Sequence, residues 1–163
     1  MKNSSSFLIL RKMRAISDYQ FGPAITDVLF DNTDSINFIF SKNTGKMKHI
    51  YEQDNNLLNY RPKIGLFTLT LHSASKIISA LPIPKMRAVV LNEISEFIRK
   101  GRNVFCKHLL EIDIKLRSLD EVIVVNQEDE LLAIGRLSMP IPYIKAFSTG
   151  IAINVRKGNK SKL

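Results

Sequence analysis

The sequence predicts an α+β protein in two parts: an N-terminal helix-and-strand domain over residues 1–84, followed by a compact pseudo-barrel of mostly β-strands over residues 85–163. Three observations predict it. Leu81-Pro82-Ile83-Pro84 sets two prolines at alternate positions, which fixes φ twice and removes two backbone donors, so regular structure stops there. Upstream of that break, helical segments precede alternating strand-like runs. Downstream, short strand-like runs and two small helical segments share about 75 residues, a density that suits a barrel-like β domain rather than a parallel sheet with long crossovers.

The first domain opens with a helical segment over residues 7–19, in which Phe7, Leu10, Met13 and Ser17 fall about one turn apart and form an imperfect stripe. Pro23 suits the first turn of a second helix reaching Phe30. Asp31-Asn32-Thr33-Asp34 turns the chain. Ile36, Phe38 and Phe40 then alternate with Asn37, Ile39 and Ser41. After the turn Asn43-Thr44-Gly45, Met47, His49 and Tyr51 alternate with Lys46, Lys48, Ile50 and Glu52. This is a hairpin whose outer face is basic. Residues 57–60 and 65–71 add apolar runs, and residues 73–80 form a short helix.

In the second domain, residues 87–91 read as a strand, and residues 93–100 as one or two helical turns stopped by Gly101. Residues 104–112 read as one strand. Arg117-Ser118-Leu119-Asp120 turns, residues 121–126 contain the buried run Val-Ile-Val-Val, and Gln127-Glu128-Asp129-Glu130 is an acidic turn. Residues 131–138 return as a strand that Pro140 and Pro142 end. Residues 143–147 form a short helix, residues 151–156 a last strand, and residues 157–163 a frayed basic tail.

With 45% hydrophobic and 24% charged residues the composition is globular. The net charge of +9 is shared between the two halves and favours a polyanionic partner. No run of about 18 apolar residues exists to span a membrane. The apolar stretch before Arg11, Lys12 and Arg14 is too short for a secretory signal, so a cytoplasmic protein that engages no membrane is expected. The lone Cys106 excludes an internal disulfide and a Cys-rich zinc site, and a buried core thiol is expected.

No glycine-rich nucleotide loop occurs, and His49, His72 and His108 are not spaced for a metal. Cys106 and His108 share one face of the expected strand, without the exposed, activated thiol that nucleophilic work needs. Glu111 with Asp113, Asp120 with Glu121, and the acidic turn read as solvated surface charge. No catalytic residue, metal or cofactor is therefore expected. Arg99-Lys100-Gly101-Arg102-Asn103 carries more information. It joins a helix to a strand, its glycine lets backbone approach a phosphate, its cations supply charge, and Asn103 can bond a ribose or base edge. Phe105 adds a stacking surface and Lys107 another cation.

Gly101-Arg102-Asn103-Val104-Phe105-Cys106-Lys107-His108 resembles the entry to a PUA domain. So do, in order, Leu119-Asp120-Glu121-Val122-Ile123-Val124-Val125-Asn126, Glu130-Leu131-Leu132-Ala133-Ile134-Gly135-Arg136 and Gly150-Ile151-Ala152-Ile153-Asn154-Val155-Arg156. Upstream, Ile16-Ser17-Asp18-Tyr19-Gln20-Phe21-Gly22, Ser41-Lys42-Asn43-Thr44-Gly45-Lys46 and Gly65-Leu66-Phe67-Thr68-Leu69-Thr70 resemble the domain that precedes PUA in archaeal tRNA-guanine transglycosylases. Those enzymes insert a deazaguanine into the tRNA D-arm on the way to archaeosine.

The resemblance implies a role by subtraction. The family's catalytic part is a (β/α) barrel with an aspartate nucleophile and a structural zinc, and such a barrel needs about 250 residues. The sequence offers neither that barrel nor the zinc cysteines. In the family the C-terminal domains grip tRNA, with PUA on the acceptor stem and the CCA end. Carried over, that role falls on Arg99, Lys100, Gly101, Arg102, Asn103, Phe105, Lys107 and His108, and further on Arg136 and Lys145. Lys107-His108 departs from the small pair, such as Pro-Gly, that many PUA domains carry there, which alters backbone approach while adding a cation. The first expectation is a non-catalytic tRNA-binding accessory subunit for a separately encoded transglycosylase chain. The second is a stand-alone PUA protein acting in translation or on the ribosome. The third is an enzyme built around Cys106 and His108.

Overall fold

In the computed structural model, which describes residues 4–160, the chain divides into two compact units, Met1–Ile77 and Ile78–Leu163. The first holds α1 (Ser4–Phe21), α2 (Pro23–Leu29) and the strands β1 (Ile36–Phe40), β2 (Met47–Glu52), β3 (Asn55–Arg61) and β4 (Leu66–Leu69). Next, α3 (Leu71–Ala80) runs across the division. The strands form an antiparallel meander in sequence order. Gly22, at φ +90°, makes the corner from which Pro23 starts α2. Ser17 and Thr26 satisfy each other across that corner at 2.8 Å, fully buried. Gln20 reaches edge strand β4 and bonds both the N–H (2.7 Å) and the C=O (2.8 Å) of Phe67, covering an otherwise open edge.

The hairpin differs from strict alternation. Ile50, expected on the basic outer face, is fully buried, and Phe40, expected inside, is exposed. The cause is a bulge. Ile39 pairs with His49 and Phe40 with Met47, so Lys48 is one residue too many and the inward parity of β2 switches. Met47 and Ile50 therefore both reach the core. A second register shift, Ile50 opposite Leu58 and Tyr51 opposite Asn56, makes Leu57 an extra residue on β3 and buries both Leu57 and Leu58.

The second unit holds β5 (Arg87–Val90), α4 (Ser95–Arg99), β6 (Val104–Phe105), β7 (Leu109–Ile112), β8 (Glu121–Val125), β9 (Leu131–Leu137), α5 (Ile141–Ala146) and β10 (Ile151–Gly158). Six strands in the order β6-β10-β9-β8-β5-β7 curl into a nearly closed pseudo-barrel, parallel only between β5 and β8. Its interior is aliphatic, including Ile98, Val104, Val122, Val124, Leu132, Leu137, Ile144 and Ile153.

The single strand expected over 104–112 is two strands. A 3₁₀ turn, Cys106–His108, separates β6 from β7, and these are the two edges of the sheet. One straight strand cannot serve both edges, so the chain must bend there. Backbone bonds from Cys106 N–H to Gly150 C=O and from Leu91 N–H to His108 C=O hold the bend. Cys106 and His108 thus do not share a strand face, and Cys106 is a buried thiol.

Two carboxylates expected in solvent are buried. Asp113 accepts the N–H groups of Met86 (2.8 Å) and Lys115 (3.0 Å), and Glu121 is held by Arg156 in two contacts of 2.9 and 2.5 Å. The acidic turn is structural as well. Asp129 lies 2.7 Å from Nε of the fully buried Arg87, and Glu130 accepts from Asn126 and Arg99. The Arg87 guanidinium also donates to the carbonyls of Ile78, Leu81, Pro82 and Lys85, fixing the proline segment to the barrel. The expected tail begins later than residue 157. β10 runs through Gly158, and Asn159 bonds Leu132 and Leu131, while residues 161–163 lie outside the described residues. Among the described residues no helix is long and apolar enough to cross a membrane.

Candidate nucleic-acid interface

α4 ends as a helix stopped by glycine must. Gly101 N–H bonds Ile98 C=O at 2.9 Å and Arg102 N–H bonds Phe97 C=O at 3.1 Å, with Gly101 at φ +91°, a Schellman end. The loop is then pinned from behind. Asn103 Oδ1 accepts the Val155 N–H at 2.9 Å, and Gly158 backs so closely on the loop that a Cβ there would lie 2.0 Å from the Arg99 carbonyl oxygen. This glycine escaped the sequence analysis. Residues 157–163 read as a tail in the sequence, and only the extension of β10 to Gly158 brings this glycine against the loop.

A pinned loop presents its side chains in fixed places. Arg102, Asn103, Phe105 and His108 line one groove of about 620 Å³ together with Glu93, Ile94, Phe97 and Ile98. Its walls are mostly apolar, with Phe97 and Phe105 both exposed. Phe105 meets the His108 ring edge-on at 6.3 Å and 88°, so the two rings orient each other. Glu93 and Phe97, one helical turn apart, were not singled out in the sequence. Only the position of the 3₁₀ turn Asn92–Ile94 and of α4 beside the 101–105 loop brings them to the groove.

A second groove of about 600 Å³ gathers Lys107 and Lys145 with Leu110, Ile114, Ile144 and Phe147. α5 buries Ile141 and Ile144 and leaves Tyr143 and Phe147 outside, stacked at 5.8 Å and 19°. The expected site residues therefore divide. Arg102, Asn103, Phe105 and His108 converge on one groove, and Lys107 and Lys145 on another, with Lys100 exposed beside Gly101. Arg99 turns away. It donates to Leu131 C=O and Glu130 (both 3.2 Å) and lies 3.7 Å from Glu96. Arg136 lies on β9 opposite Glu121 and Asn154 and lines neither groove.

Two successive parts of the chain match known domain families. Residues 11–84 match the patch-forming domain C2 of tRNA-guanine transglycosylase, and residues 86–158 match the PUA domain. Over residues 11–158 the chain thus resembles a C2 domain followed by a PUA domain. The glycine-stopped loop, the bend at Cys106–His108 and the groove lined by Arg102 and Phe105 lie within the residues that match the PUA domain, and the second groove adds Pro84 to residues of that match. Its curated relatives include the tRNA-guanine(15) transglycosylase of Methanobrevibacter smithii, 40% identical over 93% of this chain and 23% of that protein. The enzyme of the same name from Thermococcus kodakarensis is 36% identical over 88% of this chain and 24% of that one. The chain thus spans about a quarter of the length of the curated relatives it matches.

Among solved structures, a hypothetical protein of Pyrococcus horikoshii superposes with a TM-score of 0.74 at 22% identity, covering 94% of this chain and 91% of that one. A conserved PUA domain protein of Thermoplasma acidophilum gives 0.65 at 14% identity, over 96% and 92%. At such identities the likeness is one of fold.

Proposed function

We propose that this chain is a non-catalytic tRNA-binding protein that holds the acceptor stem and 3′ end for a tRNA-modifying catalyst of the transglycosylase type. The observation that carries the reading is the groove in which Phe97 of α4 meets Arg102 and Phe105 of the pinned loop and strand and His108 of the bend. Aromatic faces stack unpaired bases, and a guanidinium pairs with the adjoining phosphate. The net charge of +9 supports binding through counterion release. The names of the relatives support tRNA modification as the setting. In this reading Lys100, Lys107 and Lys145 neutralise phosphates of the stem, while Arg99 and Asn103 hold the loop.

Crosslinking of the intact chain to RNA in cells, followed by sequencing, tests the proposal. Recovery of tRNA acceptor ends supports it. Recovery of ribosomal RNA alone favours a role in translation instead. Turnover of a nucleoside by the purified chain contradicts the non-catalytic assignment.

A further inference from the structure

The groove contains a charge that an RNA-binding surface does not ordinarily want. Glu93 lines it beside Arg102 and His108. Neighbouring carboxylates are taken up elsewhere: Glu96 and Glu130 by Arg99, and Glu128 by Asn92. Glu93 is exposed and makes no ion pair among the described residues. A strand running through this groove from Arg102 past the two phenylalanines would bring a phosphate against the Glu93 carboxylate, which Coulomb repulsion disfavours.

Only one part of an RNA strand offers a base to stack, a phosphate on one side and a vicinal pair of free hydroxyl donors on the other. That part is the 3′-terminal nucleoside with its free 2′,3′-diol. A carboxylate accepts from two vicinal hydroxyls and repels a phosphate in their place. Resting on the RNA-end reading above, we infer that Glu93 makes this groove selective for RNA ending in a free cis-diol. It excludes ends that carry a 3′-phosphate and strands that continue. Arg102 takes the last internucleotide phosphate, Phe97 and Phe105 flank the terminal base, and Glu93 accepts from the diol.

The test uses the full chain and an RNA hairpin with a four-nucleotide single-stranded 3′ tail, prepared with three termini: 2′,3′-diol, 3′-phosphate and 2′,3′-dideoxy. Affinities are measured for the unaltered protein and for Glu93→Gln, Phe105→Ala and Arg102→Ala. The 3′-phosphate RNA is expected to bind the unaltered protein about tenfold more weakly than the diol RNA, and the dideoxy RNA to fall between. Glu93→Gln, which keeps shape and loses charge, brings the phosphate and diol forms within about threefold of each other. Phe105→Ala and Arg102→Ala weaken all three. Equal binding of the three RNAs, with Phe105 and Arg102 still required, overturns the selectivity and leaves the RNA-end reading standing. Binding indifferent to Phe105 and Arg102, or no binding at all, overturns both.

Discussion

Gly158 on β10 lies against the Arg99 carbonyl so closely that a methyl group placed there would stand 2.0 Å from the oxygen and 2.9 Å from the Gly101 nitrogen. The opposed atoms are backbone, which no rotamer change can move. Gly158→Ala is therefore expected to destabilise the chain by about 2–3 kcal/mol, at the upper end of overpacking effects. It should also weaken RNA binding by displacing the loop. Gly101→Ala meets no atom but must adopt φ +91°, which costs about 1–2 kcal/mol of strain. Denaturant unfolding of both variants checks the order. Gly101→Ala proving the more damaging would contradict it.

The cations of the expected site should separate by function. Phe105→Ala removes a stacking face and should cost about 1–3 kcal/mol of RNA affinity. Lys107→Ala and Lys145→Ala should each lower the slope of log affinity against log salt by about 0.7–0.9. Arg99→Ala should leave that slope unchanged and lower stability instead, because its guanidinium serves Leu131, Glu130 and Glu96. A salt series on the four variants decides.

Arg87 is the largest fully buried side chain, and its guanidinium joins Asp129 to four carbonyls of the proline segment. Arg87→Ala leaves Asp129 without its ion-pair partner and those carbonyls without their donor. A loss of about 3–5 kcal/mol is expected, as for a buried pair broken from one side. Arg87→Lys should lose most of the same amount, since one ammonium cannot span that many acceptors. Urea midpoints give the comparison.

The first unit carries a pH-sensitive cluster. Lys76 bonds Asp31 at 2.7 Å and Glu52 at 2.6 Å, and His72 bonds Glu52 at 2.8 Å. The hydrogen bond from Lys76 holds the Asp31 carboxyl below its ordinary value against the opposing effect of burial. Burial opposes ionisation of Glu52, but the bonds from Lys76 and His72 outweigh it and the net shift is downward. Burial likewise opposes the Lys76 charge, and its two carboxylate partners reverse that and raise its pKa. Depressed carboxylates add stability above their unfolded values of 3.8 and 4.5, and that stability is lost as pH falls through the lower folded values. The raised ammonium adds stability below 10.5 that is lost as pH rises through its higher folded value. Lys76→Met should therefore flatten the acid limb of stability against pH. An unchanged limb would show that the cluster contributes nothing.

Much of the fold was legible because prolines, glycines and alternation mark ends and faces locally. Pro23 and Gly101 did what their backbone chemistry requires. What stayed hidden depended on pairing between distant residues. The burial of Ile50 follows from a bulge that exists only because β1 and β2 pair as they do. The bend at Cys106 follows from the need to reach both edges of one sheet. Glu121 is buried because Arg156, distant in sequence, accompanies it. The candidate site was half legible for the same reason. Arg102, Asn103, Phe105 and His108 are neighbours in sequence, whereas Glu93 and Phe97 join them only through the way the 3₁₀ turn Asn92–Ile94 and α4 pack.

The central claim is that the terminal nucleoside of a structured RNA sits between Phe97 and Phe105. The most direct measurement places a photoreactive base at the 3′ end of an acceptor-stem hairpin, irradiates it with the intact chain at low ionic strength, and maps the crosslinked residue by mass spectrometry. The account predicts adducts at Phe97, Phe105 or His108 that unlabelled RNA competes away. Adducts mapping outside residues 93–108, or no specific adduct, would contradict it.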